Sequence, residues 1–272
     1  MKNIIILTSS ELRHKFVKTV ISLDSGINNL RTYCESSDAG TLISTIKNGS
    51  NVNSLKSLHL LQRQQTEKDF FQTYTNNISD KSNSVYIDRK EINSDKIINE
   101  IIDLNPDLII SYGCSIIKGP LLSKFSGKFI NVHLGLSPYY RGSGTNYWPM
   151  VNGEFEYIGA TFMHIDAGID TGKIMHQIRP NITWGDSPSQ IGNRLITDMA
   201  YSFIQIINNF EKLEDLEQLA KSDEDKYYTK KDYSEESVKV LYETFNENLK
   251  VFLDNKEQKL AKVPILINPG LN

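Results

Sequence analysis

The chain has 272 residues, 39% of them hydrophobic and 23% charged, with a formal net charge of −3. That length allows one sizeable core with room for a smaller appendage, and the mild acidity argues against nucleic acid as the main partner. Two cysteines, Cys34 and Cys114, stand far apart without Cys-x-x-Cys spacing, which argues against a disulfide framework and against a cysteine zinc site.

Met1 to Leu7 is too short an apolar run for a signal peptide and reads as a first strand ending at Thr8-Ser9-Ser10, a helix-capping sequence. No run of about 18 apolar residues follows, so no membrane span is expected and the expected location is cytoplasmic. Leu12, Phe16, Val20 and Ile21 have helical spacing, and the glutamine-rich stretch Leu55 to Tyr74 reads as one or two surface helices. Ser84 to Ile87 suggests a strand, and Ser94 caps a helix carrying Ile97, Ile98, Ile101 and Ile102. Asp107 to Tyr112 is a continuous apolar run suited to a strand buried on both faces. A short helix near Leu121 to Phe125 leads into a strand from Lys128 to His133. This strand–helix–strand rhythm implies parallel strands joined by right-handed crossovers. Two strand-like segments, Tyr157 to Ile165 and Lys173 to Ile182, flank an acidic, glycine-rich turn. Helices are expected over about Ser187 to Leu213 and around Val238, Leu241, Phe245, Leu249 and Phe252, with an apolar tail from Val263 to Ile267. The expected class is α/β: a Rossmann-like, mostly parallel sheet flanked by helices over residues 1–213, with a small C-terminal helical extension over 214–272.

Candidate chemistry concentrates in the middle of the chain. Asn131 and His133 are two apart, so a regular strand points both to one face while Val132 faces the packing. An amide and an imidazole at a strand end can hydrogen-bond an oxyanion. A nearby carboxylate can orient the imidazole and relay a proton. The plain alternatives are a solvated histidine and a turn-forming asparagine. No His/Asp/Glu cluster has metal-ligand spacing, so no metal is expected. The turn after the first strand lacks the glycines of a dinucleotide fingerprint.

Asn131-Val132-His133, Leu136-Ser137-Pro138-Tyr139-Tyr140-Arg141-Gly142 and Asp166-Ala167-Gly168-Ile169-Asp170-Thr171-Gly172 together resemble the active-site region of the folate-dependent formyltransferases. That family's pattern reads Asn-x-His-Pro-Ser-Leu-Leu-Pro-x-Tyr-Arg-Gly and, later, Asp-x-Gly-x-Asp-x-Gly. Asn152-Gly153-Glu154 falls where the family has a similar turn, and the likeness covers about 107–183. The resemblance implies N10-formyltetrahydrofolate as formyl donor and Asn131, His133 and Asp170 as catalytic residues. It also places Ser115, Ile116 and Ile117, with Ile165, Asp166 and Ala167, around the folate's pterin ring. Leu134-Gly135 replaces the family's Pro-Ser and Ser137 its second Leu, which changes the stiffness of that loop.

Different branches of the family formylate methionyl-tRNA, glycinamide ribonucleotide, nucleotide-linked amino sugars and other small amines. From Leu213 onward the chain carries nine lysines, no arginine and thirteen acidic residues, a balance unsuited to tRNA. Tyr227-Tyr228 and the lysines after it are similar to a segment preceding the C-terminal extension of the sugar-nucleotide branch. The expected acceptor is therefore a small molecule, the amine of a nucleotide-linked amino sugar. Methionyl-tRNA, another small amine, or water (making the protein a formyltetrahydrofolate hydrolase) are the alternatives, and a non-catalytic folate-binding module is a further one. For acceptor contacts, Ser10 offers a hydroxyl at a helix start, Arg13 and Arg141 can meet an anion, and Tyr139 can stack on a sugar or base. His14 beside Arg13 is a weaker candidate for a phosphate, while His164 and His176 read as core or surface residues. The amphipathic helix of the extension allows either a homodimer or a fold-back onto the core.

Overall fold

Ile4, Ile5, Ile6 and Leu7 are all buried in β1 (Lys2–Ser9), because this strand lies inside a sheet covered on both faces. Their side chains alternate: Ile4 and Ile6 join one apolar cluster, Ile5 and Leu7 another on the opposite face. Burying side chains of this size contributes roughly 1.5–3 kcal/mol each. The structure is a computed structural model describing residues 1–36, 53–165, 172–218 and 226–271.

From β1 the chain runs through α1 (Leu12–Ser22) to β2 (Ile27–Glu35), then through α2 (Leu55–Asn77) to β3 (Ser84–Ile87). α3 (Asp95–Leu104) returns it to β4 (Leu108–Tyr112), and α4 (Pro120–Lys124) leads into β5 (Phe129–His133). β6 (Tyr140–Gly142) and α5 (Tyr147–Val151) intervene before β7 (Ala160–His164) and β8 (Ile174–Ile178). α6 (Pro188–Asn208), β9 (Lys226–Tyr228), α7 (Glu235–Asp254) and α8 (Lys256–Lys262) complete the order.

Seven strands form one sheet in the order β3-β2-β1-β4-β5-β7-β8. The first four pairings are parallel, whereas β7 and β8 add antiparallel. The Rossmann-like, mostly parallel class expected from the sequence is the one observed. Strand order reverses between β1 and β4, and that reversal opens a crevice at their carboxyl ends. β6 and β9 form a separate parallel pair, Tyr140 opposite Lys226 and Gly142 opposite Tyr228, joining the loop after β5 to the segment after 225. Gly142 has φ +87° and lies against the Tyr228 carbonyl, a position without room for a side chain.

α1, α2 and α6 share the cluster that contains Ile4, while Ile97, Ile101 and Leu121 from α3 and α4 cover the other face. A third cluster sets Leu241, Phe245, Leu249 and Phe252 of α7 against Met150, Phe155 and Ile191, so the apolar face of this helix folds back onto the core. Among the described residues no helix is long and apolar enough to cross a membrane.

One local expectation needs correction, one is narrowed, and one strand went unread. Thr8-Ser9-Ser10 does not cap α1, whose N-cap position is Glu11 with no side-chain cap bond. The Thr8 hydroxyl instead donates to the Tyr112 carbonyl at 2.8 Å and Ser9 to the Glu11 carboxylate at 3.2 Å. The stretch 55–74 is one helix extended to Asn77, its N-cap Ser54 accepting from Ser57. β2 gave no sequence signal, because Asn28, Asn29 and Arg31 interrupt its apolar pattern; Asn29 and Thr32 are buried by bonding each other.

Candidate active site

The register that puts Ser111 opposite Asn131 brings the carboxyl ends of β4 and β5 together. Ser111 Oγ donates to Asn131 Oδ1 at 2.7 Å, which fixes the amide and turns its N–H donors away from Ser111. Phe129 belongs to the cluster under α3 and α4 and Val132 to the opposite one, so Asn131 and His133, alternating with Val132, share the Phe129 face. Both side chains are half-buried.

The loop after His133 is held by polar side chains of the antiparallel hairpin. Thr161, fully buried on β7, donates to the Gly135 carbonyl at 2.7 Å and accepts from the Ser137 amide at 3.1 Å. Gln177 on β8 donates to the Ser137 carbonyl at 3.0 Å, and Thr145 donates to the Leu134 carbonyl. The Ser137–Pro138 peptide is cis. Leu134-Gly135 is thus cross-braced by neighbouring strands where the family has a stiff proline. At the base of the hairpin the His164 amide donates to the Lys173 carbonyl at 3.0 Å. Asp166, Ala167 and Asp170 lie outside the described residues.

An open cleft of about 560 Å³ occupies the strand-order reversal, its walls running from the β1 turn past Tyr112 to Leu134, the neighbour of His133. Arg13 lies in it, its guanidinium bonded to Glu67 at 3.0 Å and Glu11 at 2.8 Å. Burial alone would weaken that charge, but Tyr112, Glu67 and Glu11 together raise the Arg13 pKa. His14 is buried beside it, Nδ1 at 2.9 Å from Glu11, and desolvation outweighs that carboxylate to lower its pKa. Gly113 sits against this ring at φ +71°, and a Cβ there would come within 2.6 Å of His14 Nε2. Packing of this kind makes His14 a wall of the cleft.

Ser10 is exposed at the start of α1. The Ser115 amide donates to Glu35 at 2.6 Å on the cleft wall. Ile117 and Ile165 pack into the same apolar cluster, whereas Ile116 is 64% exposed, an apolar side chain held out beside them. Tyr139 sets its ring 5.2 Å from Tyr157 and its hydroxyl 3.4 Å from the Pro264 carbonyl, and Arg141 lies on β6 opposite Tyr227; neither is among the walls of the cleft. Glu154 takes the Tyr140 hydroxyl and Lys226, and Asn152 donates to Tyr140 and Tyr228, so Asn152-Gly153-Glu154 braces the β6–β9 pair. His164 contacts Asp215 at 2.9 Å, and His176 accepts from the Asn268 amide.

Sequence reasoning missed Ser111, Thr161 and Gln177, whose roles depend on cross-strand register, and Arg63, Arg89 and Lys230 on the cleft wall. One signal was present: His59, Arg63 and Glu67 are four apart, so a single helix face carries all three. Among the described residues no group of three or more His, Cys, Asp or Glu side chains is placed to hold a metal ion.

An open α/β sheet with its cleft at the order reversal and a polar pair on the adjoining strand end defines a Rossmann-like ligand-binding class. Within that class the chain belongs to the formyl transferase family, whose model matches residues 19–207. Methionyl-tRNA formyltransferase of Desulforamulus reducens is 35% identical over 114 residues, 41% of this chain and 35% of that protein. The match thus spans about a third of that relative's length, and 40% for the corresponding protein of Thermodesulfovibrio yellowstonii. Among solved structures, phosphoribosylglycinamide formyltransferase of Anaplasma phagocytophilum aligns with TM-score 0.54 at 13% identity, over 85% of this chain and 100% of that one. A 4-N formyltransferase from Francisella tularensis gives TM-score 0.53 at 19% identity, over 85% and 78%. These two likenesses concern the fold.

Proposed function

We propose that the protein transfers the formyl group of N10-formyltetrahydrofolate to a primary amine, the amine being carried by a nucleotide-linked amino sugar. The observation that carries the transfer reading is the placement of Asn131 and His133 on one face at the end of β5, with the Asn131 amide oriented by Ser111. The donor follows from membership of the family, and its site has a fitting feature in Ile116, exposed beside the buried Ile117.

The donor supplies an activated formyl carbon attached to nitrogen. Asn131 donates to the formyl oxygen as the acceptor nitrogen bonds to that carbon and negative charge grows on the oxygen. His133 shares that charge and takes part in moving the proton from the acceptor nitrogen to the departing folate nitrogen. Asp170 orients the imidazole and assists the relay. Fixed donors of this kind add no reorganisation cost at the moment of reaction, which favours the charged state over the neutral one.

The sugar-nucleotide acceptor is supported by the acidic balance after Leu213 and by Tyr227-Tyr228 pairing with the loop that follows β5. A second reading, methionyl-tRNA, is supported by the names of the sequence relatives. Turnover of the donor against a panel of nucleotide-linked amino sugars and against charged initiator tRNA, read by mass spectrometry, separates them. A formylated sugar nucleotide is the expected product. Formylated methionyl-tRNA alone would replace the acceptor, and formate released at the same rate without any amine would replace transfer by hydrolysis.

A further inference from the structure

β7 and β8 are joined by the segment that carries Asp170, and both ends of that segment are described. His164 closes β7 and lies opposite Ile130 on β5, one residue before Asn131. Ile165 follows it into the apolar cluster of Phe129, on the face that Asn131 and His133 share. At the far end Gly172 packs against the His164 carbonyl without room for a side chain, and the His164 amide donates to the Lys173 carbonyl at 3.0 Å. β8 is the last strand of the sheet, so its outer edge offers backbone groups to whatever lies beside it.

Residues 214–218 lie beside it. The backbones of Leu216 and Ile174 donate to each other's carbonyls, both at 2.8 Å, which adds one antiparallel rung to the sheet. On either side of that rung a side chain reaches one end of the joining segment. Gln218 Nε2 donates to the Gly172 carbonyl at 2.8 Å, and Asp215 Oδ1 accepts from His164 Nε2 at 2.9 Å. His164 Nδ1 has no hydrogen-bond partner among the described residues, so the bond to Asp215 is what orients this ring. Lys173 lies 3.3 Å from Glu217 and 4.0 Å from Asp215. Upstream, Asn268 fastens both the amide and the carbonyl of Glu214. Ion pairs as exposed as these add little stability, whereas bonds converging on one hairpin base fix position.

A carboxylate that works with an imidazole must stay within hydrogen-bond reach of it, and a displacement of about 1 Å is enough to cost catalysis. We propose that Asp215 and Gln218 are positioning residues for Asp170: with the rung at Leu216 they fix both ends of the segment that presents this carboxylate to His133. This deepens the transfer reading given above and rests on it for the role of Asp170. The catalytic unit then includes residues 214–218, which act on the chemistry without touching a substrate.

The test is release of tetrahydrofolate from N10-formyltetrahydrofolate by the whole protein with the panel of nucleotide-linked amino sugars, at rates taken per folded molecule from parallel melts. The variants are Asp215→Ala, Asp215→Asn and Gln218→Ala, with the exposed Glu211→Gln as control, each also made together with Asp170→Ala. Asp215→Ala and Gln218→Ala are each expected to lower kcat about tenfold while changing the donor KM less than about twofold. Asp215→Asn keeps an oxygen that accepts from His164 and should restore most of the rate, and the control should be unchanged. Beside Asp170→Ala the same substitutions should cost nothing more, because the group they position is gone. An unchanged kcat in both Ala variants, a loss that persists in full beside Asp170→Ala, or a rise in donor KM alone overturns the positioning role. Normal turnover in Asp170→Ala, or none with any amine, overturns the transfer reading instead. Hydrogen exchange over residues 164–174, read by mass spectrometry, then judges the positioning by itself: faster exchange in Asp215→Ala and Gln218→Ala supports it, and unaltered exchange overturns it.

Discussion

Gly135 stands directly against His133: a Cβ built on Gly135 would lie 2.9 Å from the imidazole Nε2 and 2.7 Å from the Thr145 Cβ. The absence of a side chain there is therefore a condition for the observed ring position. Gly135→Ala is expected to displace the imidazole or the Thr145 brace, lowering kcat about tenfold or more while destabilising the fold by only about 1–3 kcal/mol. Steady-state kinetics beside a denaturant melt would check this, and an unchanged kcat would show that the ring has room to move.

Asn131→Ala should lower kcat about 10²–10³-fold, the usual loss when one oxyanion donor is removed. His133→Ala and Asp170→Ala should each cost at least about 10²-fold in folded protein. Near-normal turnover in two of the three would remove the assignment.

Ser111 illustrates what was legible in the sequence and what was not. The run 107–112 read as a buried strand because its apolar residues are contiguous, and 131–133 read as a two-residue alternation at a strand end. Both patterns are local. That Ser111 faces Asn131 depends on the register between two strands twenty residues apart, which neither segment encodes alone. β2 escaped notice for a related reason, since its buried Asn29 and Thr32 satisfy each other only once folded. Likewise the cleft cations come from α2, the turn after β3 and the turn after β9, so only the assembled sheet gathers them. Ser111→Ala should lower kcat about tenfold with little change in KM for the donor, because it loosens the Asn131 amide without touching a substrate. A pure KM effect would assign Ser111 to binding instead.

His59 links stability to pH. Its ring is 8% exposed among Tyr147, Tyr233 and Tyr242, and desolvation, then Arg63, lower its pKa from 6.5 to about 4. Tyr242 has one hydroxyl proton, which Gln62 Oε1 accepts at 2.6 Å, so His59 Nδ1 carries the hydrogen that bridges to Tyr242 at 2.9 Å. In this window the unfolded chain binds the extra proton, so stability rises with pH between about 4 and 6.5 and is lost as pH falls through that range. The loss from this group is at most about 3 kcal/mol. His59→Asn should flatten that part of the melting-temperature profile, and an unaltered slope would show that other groups set it.

Asn268 ties the end of the chain to the edge of the catalytic sheet. Fully buried, it donates to the carbonyls of Met175 at 2.7 Å and Glu214 at 2.8 Å, and accepts from the amides of Gly270 at 3.0 Å and Glu214 at 3.3 Å. Two residues earlier, Leu266 exchanges bonds with Gln177, the side chain that also holds the loop after His133. Removing the Asn268 amide strands several backbone groups out of water, each costing about 1–3 kcal/mol. Asn268→Ala should therefore lower stability by about 2–4 kcal/mol in a denaturant melt that keeps a single transition. Turnover per folded molecule should fall less steeply, because Thr161 still fastens Gly135. A second, separate transition would show instead that the residues beyond 213 unfold on their own, and that the bonds at Asn268 dock a separate unit onto the sheet.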